Sequence, residues 1–311
     1  MRPRALAWWL NAEMSVVHHF QYGLVNPVAA YVLSVMGCLL GLAFAARSRG
    51  ARGARRIRLL GYAAVSIGGT GIWLMHFIAM LGFDVPESDI RYDVGLTAIS
   101  GVVAIGIVAV GLLIAHLGRG GAARLLIGGT VTGLGVAAMH YSGMAAVRLS
   151  GSVSYRPVLV GLSVGIAVVA ATVALWFTAT VDGPRATWIA AAVMGVAVCG
   201  MHYTGMSAVE IRLHRFHGGI DGVNPMFLLP PMVIIGGTLI AILAFVVSGH
   251  TEATKMRGPA SAGPGRPSGL VDPDPPTDAV RMAGMAGVSP PLPPRYPPEP
   301  YLSGRHATWS G

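Results

Sequence analysis

The chain has 311 residues, of which 53% are hydrophobic and only 11% charged, with a net charge of +9. Soluble domains carry about a quarter charged residues, so this composition, with a mean hydropathy of +0.62, excludes an ordinary soluble domain and points to a membrane protein. The positive excess does not describe a nucleic-acid surface: Arg47, Arg49, Arg52, Arg55, Arg56 and Arg58 crowd one loop between apolar stretches, where they fix topology and meet anionic lipid headgroups.

Residues 1–26 form an extracytoplasmic segment rather than a signal peptide. The apolar run Ala5–Leu10 is short and Asn11 and Glu13 interrupt it. Trp8 and Trp9 suit an interface, and Met14 is an alternative start. Seven stretches of about 20 residues then have the length of membrane-spanning helices. They are Pro27–Ala46, Leu59–Leu81, Val94–His116, Leu125–Val147, Pro157–Thr178, Thr187–Ala208 and Phe227–Ser248. The predicted fold class is therefore all-α: a polytopic, seven-helix membrane domain over residues 27–248. Pro230 and Pro231 are expected to kink the seventh helix, which a bundle tolerates. The arginine-rich first loop predicts an outside amino terminus and a cytoplasmic carboxyl terminus in a bacterial plasma membrane. Residues 249–311 hold 13 of the 21 prolines and read as a disordered, partly polyproline cytoplasmic tail.

A short pattern recurs at nearly fixed period. Met75-His76 is followed by Met80, Met139-His140 by Met144, and Met201-His202 by Met206. Residues four apart share a helix face, so each histidine and the methionine after it make a two-ligand face near the outer end of an even-numbered helix. Three such ends can converge on one centre or serve three separate sites. An ionisable residue inside a membrane is expensive and marks a functional site by default. Thioether with imidazole favours Cu(I), whereas methionine as plain core filler is the competing reading. Cys38 and Cys199 fall within spans and imply no disulfide framework. Cys199 lies three residues before His202 and could join a mixed ligand set, although a buried thiol is the plainer reading.

Further repeated positions read structurally. Gly69, Gly133 and Gly195 stand seven residues before their histidines, where small residues let helices approach closely. Tyr141 and Tyr203, with Phe77 in the first copy, suit either outer-shell donors to the imidazoles or interfacial anchors. His18, His19, His116, His214 and His217 are expected to be solvated.

The string Met201-His202-Tyr203-Thr204 and its two variants resemble the MHYT family over roughly residues 20–217. Phe77 and Ala79 depart from the motif in the first copy, and Ser142 in the second. The resemblance implies a bacterial membrane sensor that binds copper and responds to a diatomic gas such as oxygen, carbon monoxide or nitric oxide. Its implied metal ligands are Met75, His76, Met80, Met139, His140, Met144, Met201, His202 and Met206. Family members often carry an output domain after the last helix. None is recognisable in the proline-rich tail, so a stand-alone member acting through a separate signalling partner is expected.

No nucleophile–base arrangement or nucleotide-binding loop is apparent, so the chain is expected to be non-enzymatic. Two other readings stay open at this point. One is copper transport, although no span carries an Asp or Glu. The other is electron transfer through a haem held by facing histidines such as His140 and His202.

Overall fold

Runs of Ala, Val, Leu, Ile and Gly cannot leave amides unpaired in lipid, so they close their hydrogen bonds within helices. The computed structural model describes residues 21–86, 88–117, 121–213 and 220–256. The chain is all-α in its core, as the sequence predicts. α1 covers Val25–Arg49, and the second span, Gly53–Met80, is built from α2 (Gly53–Ala64), a π-helical stretch (Val65–Leu74) and α3 (Met75–Met80). α4 (Val94–His116), α5 (Gly121–Ala145), α6 (Pro157–Thr180), α7 (Pro184–Met206) and α8 (Pro225–Met256) follow. All seven spans are long and apolar enough to cross a membrane, and the protein is a multi-pass membrane protein. Pro157 and Pro184 sit in the first turns of their helices, where a missing amide is harmless.

Two boundaries depart from expectation. The second span is one uninterrupted apolar run in the sequence, yet its middle widens to π-helix. Ser66 and Thr70 each donate to the carbonyl four residues back, a habit that bends helices. α1 also presses directly on the π turns: Ser34 Oγ donates to the Gly71 carbonyl at 2.8 Å, and a Cβ at Gly37 would overlap the Gly71 backbone. α8 continues through Pro230 and Pro231 and past Ser248 to Met256. The first eight residues of the predicted tail, 249–256, are thus helical rather than disordered; the rest of the tail, residues 1–20 of the amino-terminal segment with His18 and His19, and His214 and His217 lie outside the described residues.

The second span is the hub. Its apolar window is 89% buried, against 11% for the seventh span. Around it, α1 contacts α7 and the π turns, α4 contacts the π turns and α5, and α6 lies between α5 and α7; α8 rests on α1 and the π turns. The outward faces stay apolar, with Val158 82% and Phe245 78% exposed, which suits contact with lipid rather than water. Close approach is set by glycine. A Cβ on Gly133 would run into the Val168 backbone of α6, and one on Gly195 would meet Val35 at 2.8 Å. In the first repeat that role moves from Gly69 to Gly68, where a Cβ would lie 2.7 Å from the Ala104 carbonyl, because the π turns change which face looks at α4.

At the arginine end, several of the clustered cations meet helix termini instead of lipid alone. Arg49 donates to the Thr178 and Val181 carbonyls at 2.7 Å each and pairs with Asp182. Arg56 reaches the His116 carbonyl. Both complete carbonyls that a helix C-terminus leaves open. His116 corrects the expectation of solvation. It is 7% exposed, with Nδ1 3.1 Å from the Leu112 carbonyl and Nε2 3.3 Å from that of Thr178.

The opposite end carries two short antiparallel ribbons that the sequence reading did not foresee. β1 (Arg91–Tyr92) pairs with β2 (Val147–Arg148), and β3 (Gly151–Tyr155) pairs with β4 (Val209–Leu213). β1 follows α3, β2 follows α5 and β4 follows α7, so the ribbons tie together the ends of the three motif-bearing helices. Asp93 reinforces the tie: Oδ1 accepts from the Leu96 amide at 3.0 Å and caps α4, while Oδ2 meets Arg148 at 3.0 Å. The capping amide first, and Arg148 next, hold this carboxyl below its ordinary range.

Candidate metal centre

The Met–His pairs sit on α3, α5 and α7, three helices that run the same way. Each histidine lies four or five residues before its helix end, so the three imidazoles share a level. They meet. Nδ1 of His76 is 3.0 Å from Nδ1 of His202 and 3.2 Å from Nδ1 of His140. Ring centroids stand 4.9–5.2 Å apart and the ring planes cross at 82–87°. The arrangement is a three-bladed propeller with nitrogen at its hub. All three residues are at most 1% exposed. Of the two arrangements left open by the sequence, the single centre is the one found.

The first two rings each lean on the next repeat. A Cβ on Gly143 would lie 2.6 Å from His76 Nε2, and one on Gly205 would collide with His140 Nε2. Glycine three residues after the histidine is what lets the preceding repeat's imidazole bring its Nε2 end close to the helix. Ala79 holds the matching position in the first repeat.

The methionines separate by position. Met80, Met144 and Met206, one turn outward of the histidines, gather in one apolar cluster with Phe77, Phe83, Val85 and Tyr92. Met139 and Met201 belong to the main bundle core, and Met75 to a smaller group with Ala30, Leu74 and Ile78. Cys199 joins that smaller group alongside Tyr203. Among the described residues the metal-competent His/Cys/Asp/Glu cluster contains only His76, His140 and His202. A three-residue offset turns Cys199 about 60° from His202, enough to remove it from the mixed ligand set. The tyrosine hydroxyls do not follow the outer-shell expectation uniformly: Tyr141 bonds Ser163 of α6 at 2.7 Å, while its ring edge meets His140.

The donor set fits a metal. Nitrogens at about 2.0–2.1 Å from one ion stand about 3.3–3.6 Å apart, so an opening of a few tenths of an ångström would seat it. Without an ion, three neutral imidazoles offer one N–H each, and no choice of tautomer satisfies every nitrogen. Nε2 of His76 and of His140 is buried with no partner among the described residues. With three inward lone pairs on an ion, the Nδ1 atoms are all satisfied and only N–H groups face the glycines. A haem does not fit, because two axial ligands must stand on opposite faces of a macrocycle and these nitrogens are in mutual contact.

The family described as the bacterial signalling protein N-terminal repeat, MHYT, matches residues 69–128 and 133–191. A bifunctional diguanylate cyclase/cyclic di-GMP phosphodiesterase of Pseudomonas aeruginosa, MucR, is 36% identical over 233 residues, covering 73% of this chain and 34% of the relative. The cyclic di-GMP phosphodiesterase NbdA of the same organism is 37% identical over 151 residues, 47% of this chain and 19% of the relative. An uncharacterized signaling protein of Caulobacter vibrioides is 32% identical over 191 residues, 61% and 23% respectively. This chain therefore spans about a third or less of the length of these relatives. No solved structure matches it. With two repeats recognised in sequence and three copies of the Met–His pair closing on one another in space, the chain carries the repeats of the MHYT family over residues 69–191.

Proposed function

We propose that the protein is a membrane sensor in which His76, His140 and His202 hold a copper ion that responds to a diatomic gas. The observation that supports this reading most is the convergence of three buried Nδ1 atoms, with His76 3.0 Å from His202 and 3.2 Å from His140, together with the buried Nε2 atoms of His76 and His140 that hydrogen bonding among the rings leaves without a partner among the described residues. When bound, copper would supply a Lewis-acidic position that oxygen, carbon monoxide or nitric oxide can occupy. The protein's part is to orient three nitrogens, exclude water and keep Met80, Met144 and Met206 one turn outward as soft donors within reach of Cu(I). Met75, Met139 and Met201 then hold the helices in register.

The amino-terminal and ribbon end is read as extracytoplasmic and the arginine end as cytoplasmic. The chain is read as non-catalytic itself. Its output is proposed to be altered cyclic di-GMP turnover by a catalytic unit outside the seven helices, because relatives named for that chemistry match only over a third or less of their length.

The test is copper content, measured on protein purified from copper-supplemented cells and again after Cu(I) titration. Wild type should carry copper, and the His76→Ala, His140→Ala and His202→Ala variants should each lose it. Wild-type protein that takes up no copper overturns the reading. Copper uptake into vesicles, abolished by His140→Ala, would replace it with transport.

A further inference from the structure

One helical turn inward of the histidines stand Ile72, Val136 and Val198. All three line a cavity of about 50 Å³ enclosed by α4, α5, α6, α7 and the π turns. The histidine centre therefore has a methionine layer on one side and an apolar void on the other. Packed interiors seldom keep such voids. The walls are apolar apart from two threonines: Thr178 spends its hydroxyl on the Leu175 carbonyl at 2.7 Å, and Thr132 Oγ1 has no partner among the described residues. A trapped water needs two to four polar partners, which these walls do not offer. An apolar cavity of about 150 Å³ admits benzene or xenon, so this smaller one suits a ligand of one or two heavy atoms.

The cavity is not closed on all sides. Ala170, Met194 and Ala197 form its wall between α6 and α7, and the same three residues line a groove of about 530 Å³ on the outer face of that helix pair. Along the groove, Gly161 and Gly165 have open space where a side chain would stand, and Val169 and Val193 are 65% and 46% exposed. Toward the two ends of the bundle the neighbouring side chains are buried. Met80, Met144 and Met206 are 1–3% exposed at the ribbon end, and Leu112 is fully buried toward the arginine end. The small side chains of Ala170 and Ala197, beside Met194, are shared by the void and the outward-facing groove.

We propose that this cavity is a binding site for a small, uncharged, apolar molecule that enters sideways from the bilayer between α6 and α7 and is held one helical turn inward of the histidine centre. Its purpose rests on the sensor reading, since it supplies a gaseous ligand to the metal from the phase where apolar gases concentrate. Its existence does not rest on that reading.

Xenon tests the site in the full-length chain, crystallised in lipid and pressurised with the gas. Xenon density is expected between Ile72, Val136 and Val198 in wild type. It should be lost in Ala170→Phe and in Ala197→Phe, which fill the mouth, and kept in Gly161→Phe, which crowds only the far groove. A wild-type chain without xenon at this position overturns the proposal even if every variant fails to fold. Unchanged occupancy in both mouth variants overturns the lateral route. Copper assayed on the same samples separates the two readings: xenon without copper defeats the sensor alone, and copper without xenon defeats the cavity alone.

Discussion

Gly143→Ala adds one carbon atom beside His76. Its Cβ would stand 2.6 Å from Nε2 and 3.1 Å from Cδ2, about 0.8 Å short of ordinary contact at the nearer atom. The ring cannot swing away freely, because its other nitrogen already touches His140 and His202 at 3.2 and 3.0 Å. Overpacking of this kind costs about 1–3 kcal/mol, while replacing a helical glycine with alanine returns about 1 kcal/mol. Thermal unfolding in detergent should therefore change little, by about 0–2 kcal/mol. The metal should register much more, since ligand positions are tolerated only to about 0.2 Å and disturbed imidazole orientation typically weakens binding about 10–100-fold. The assay is Cu(I) competition against a chromophoric chelator, with the melting curve taken in parallel. Gly200→Ala, where a Cβ meets nothing within 4 Å, is the matched control and should bind as wild type does. Gly143→Ala protein that binds copper within about twofold of wild type would refute the interlocked propeller.

His140→Ala removes one of three inward nitrogens, and elemental analysis should show copper falling to background, whereas Met144→Leu should keep the fold at a cost under about 1.5 kcal/mol while weakening Cu(I) binding. Gly133→Leu forces a side chain into the α6 backbone at Val168, and a loss of about 3 kcal/mol or more should appear as poor folded yield in size-exclusion profiles. Asp93 has a depressed carboxyl, so its contribution is complete above its unfolded value near 4 and disappears as pH falls through the lower folded value. Amide exchange at Leu96 should accelerate across that acidic window in wild type. In Asp93→Ala, which removes both cap and ion pair, exchange should already be fast at neutral pH, and Asp93→Asn should stay nearer wild type.

The seven spans were legible because apolar length is a one-dimensional property, and each observed helix overlaps its predicted stretch. The equal depth of His76, His140 and His202 was also legible, since all three lie on helices of the same direction. Their meeting was not, because it depends on Gly143 and Gly205 yielding space to rings from other repeats. The π turns escaped for a similar reason: their causes include Ser34 and Gly37 on a neighbouring helix. His116 looked solvated at a helix end, but its burial is decided by the carbonyl terminus of α6, which no local pattern reports. The ribbons did leave a signal. Val209, Ile211 and Leu213 alternate with Glu210 and Arg212, the period of a half-buried strand, in a stretch the helix search passed over.

The lean of His76 on Gly143, and of His140 on Gly205, makes the duplicated segments mutually obligate. The second repeat cut out alone would lose both the seat for its own ring on Gly205 and the support that Gly143 lends to His76. The working unit of this protein is an interlocked group of three, so grafting the Met–His string onto an unrelated helix would transfer its letters without its geometry.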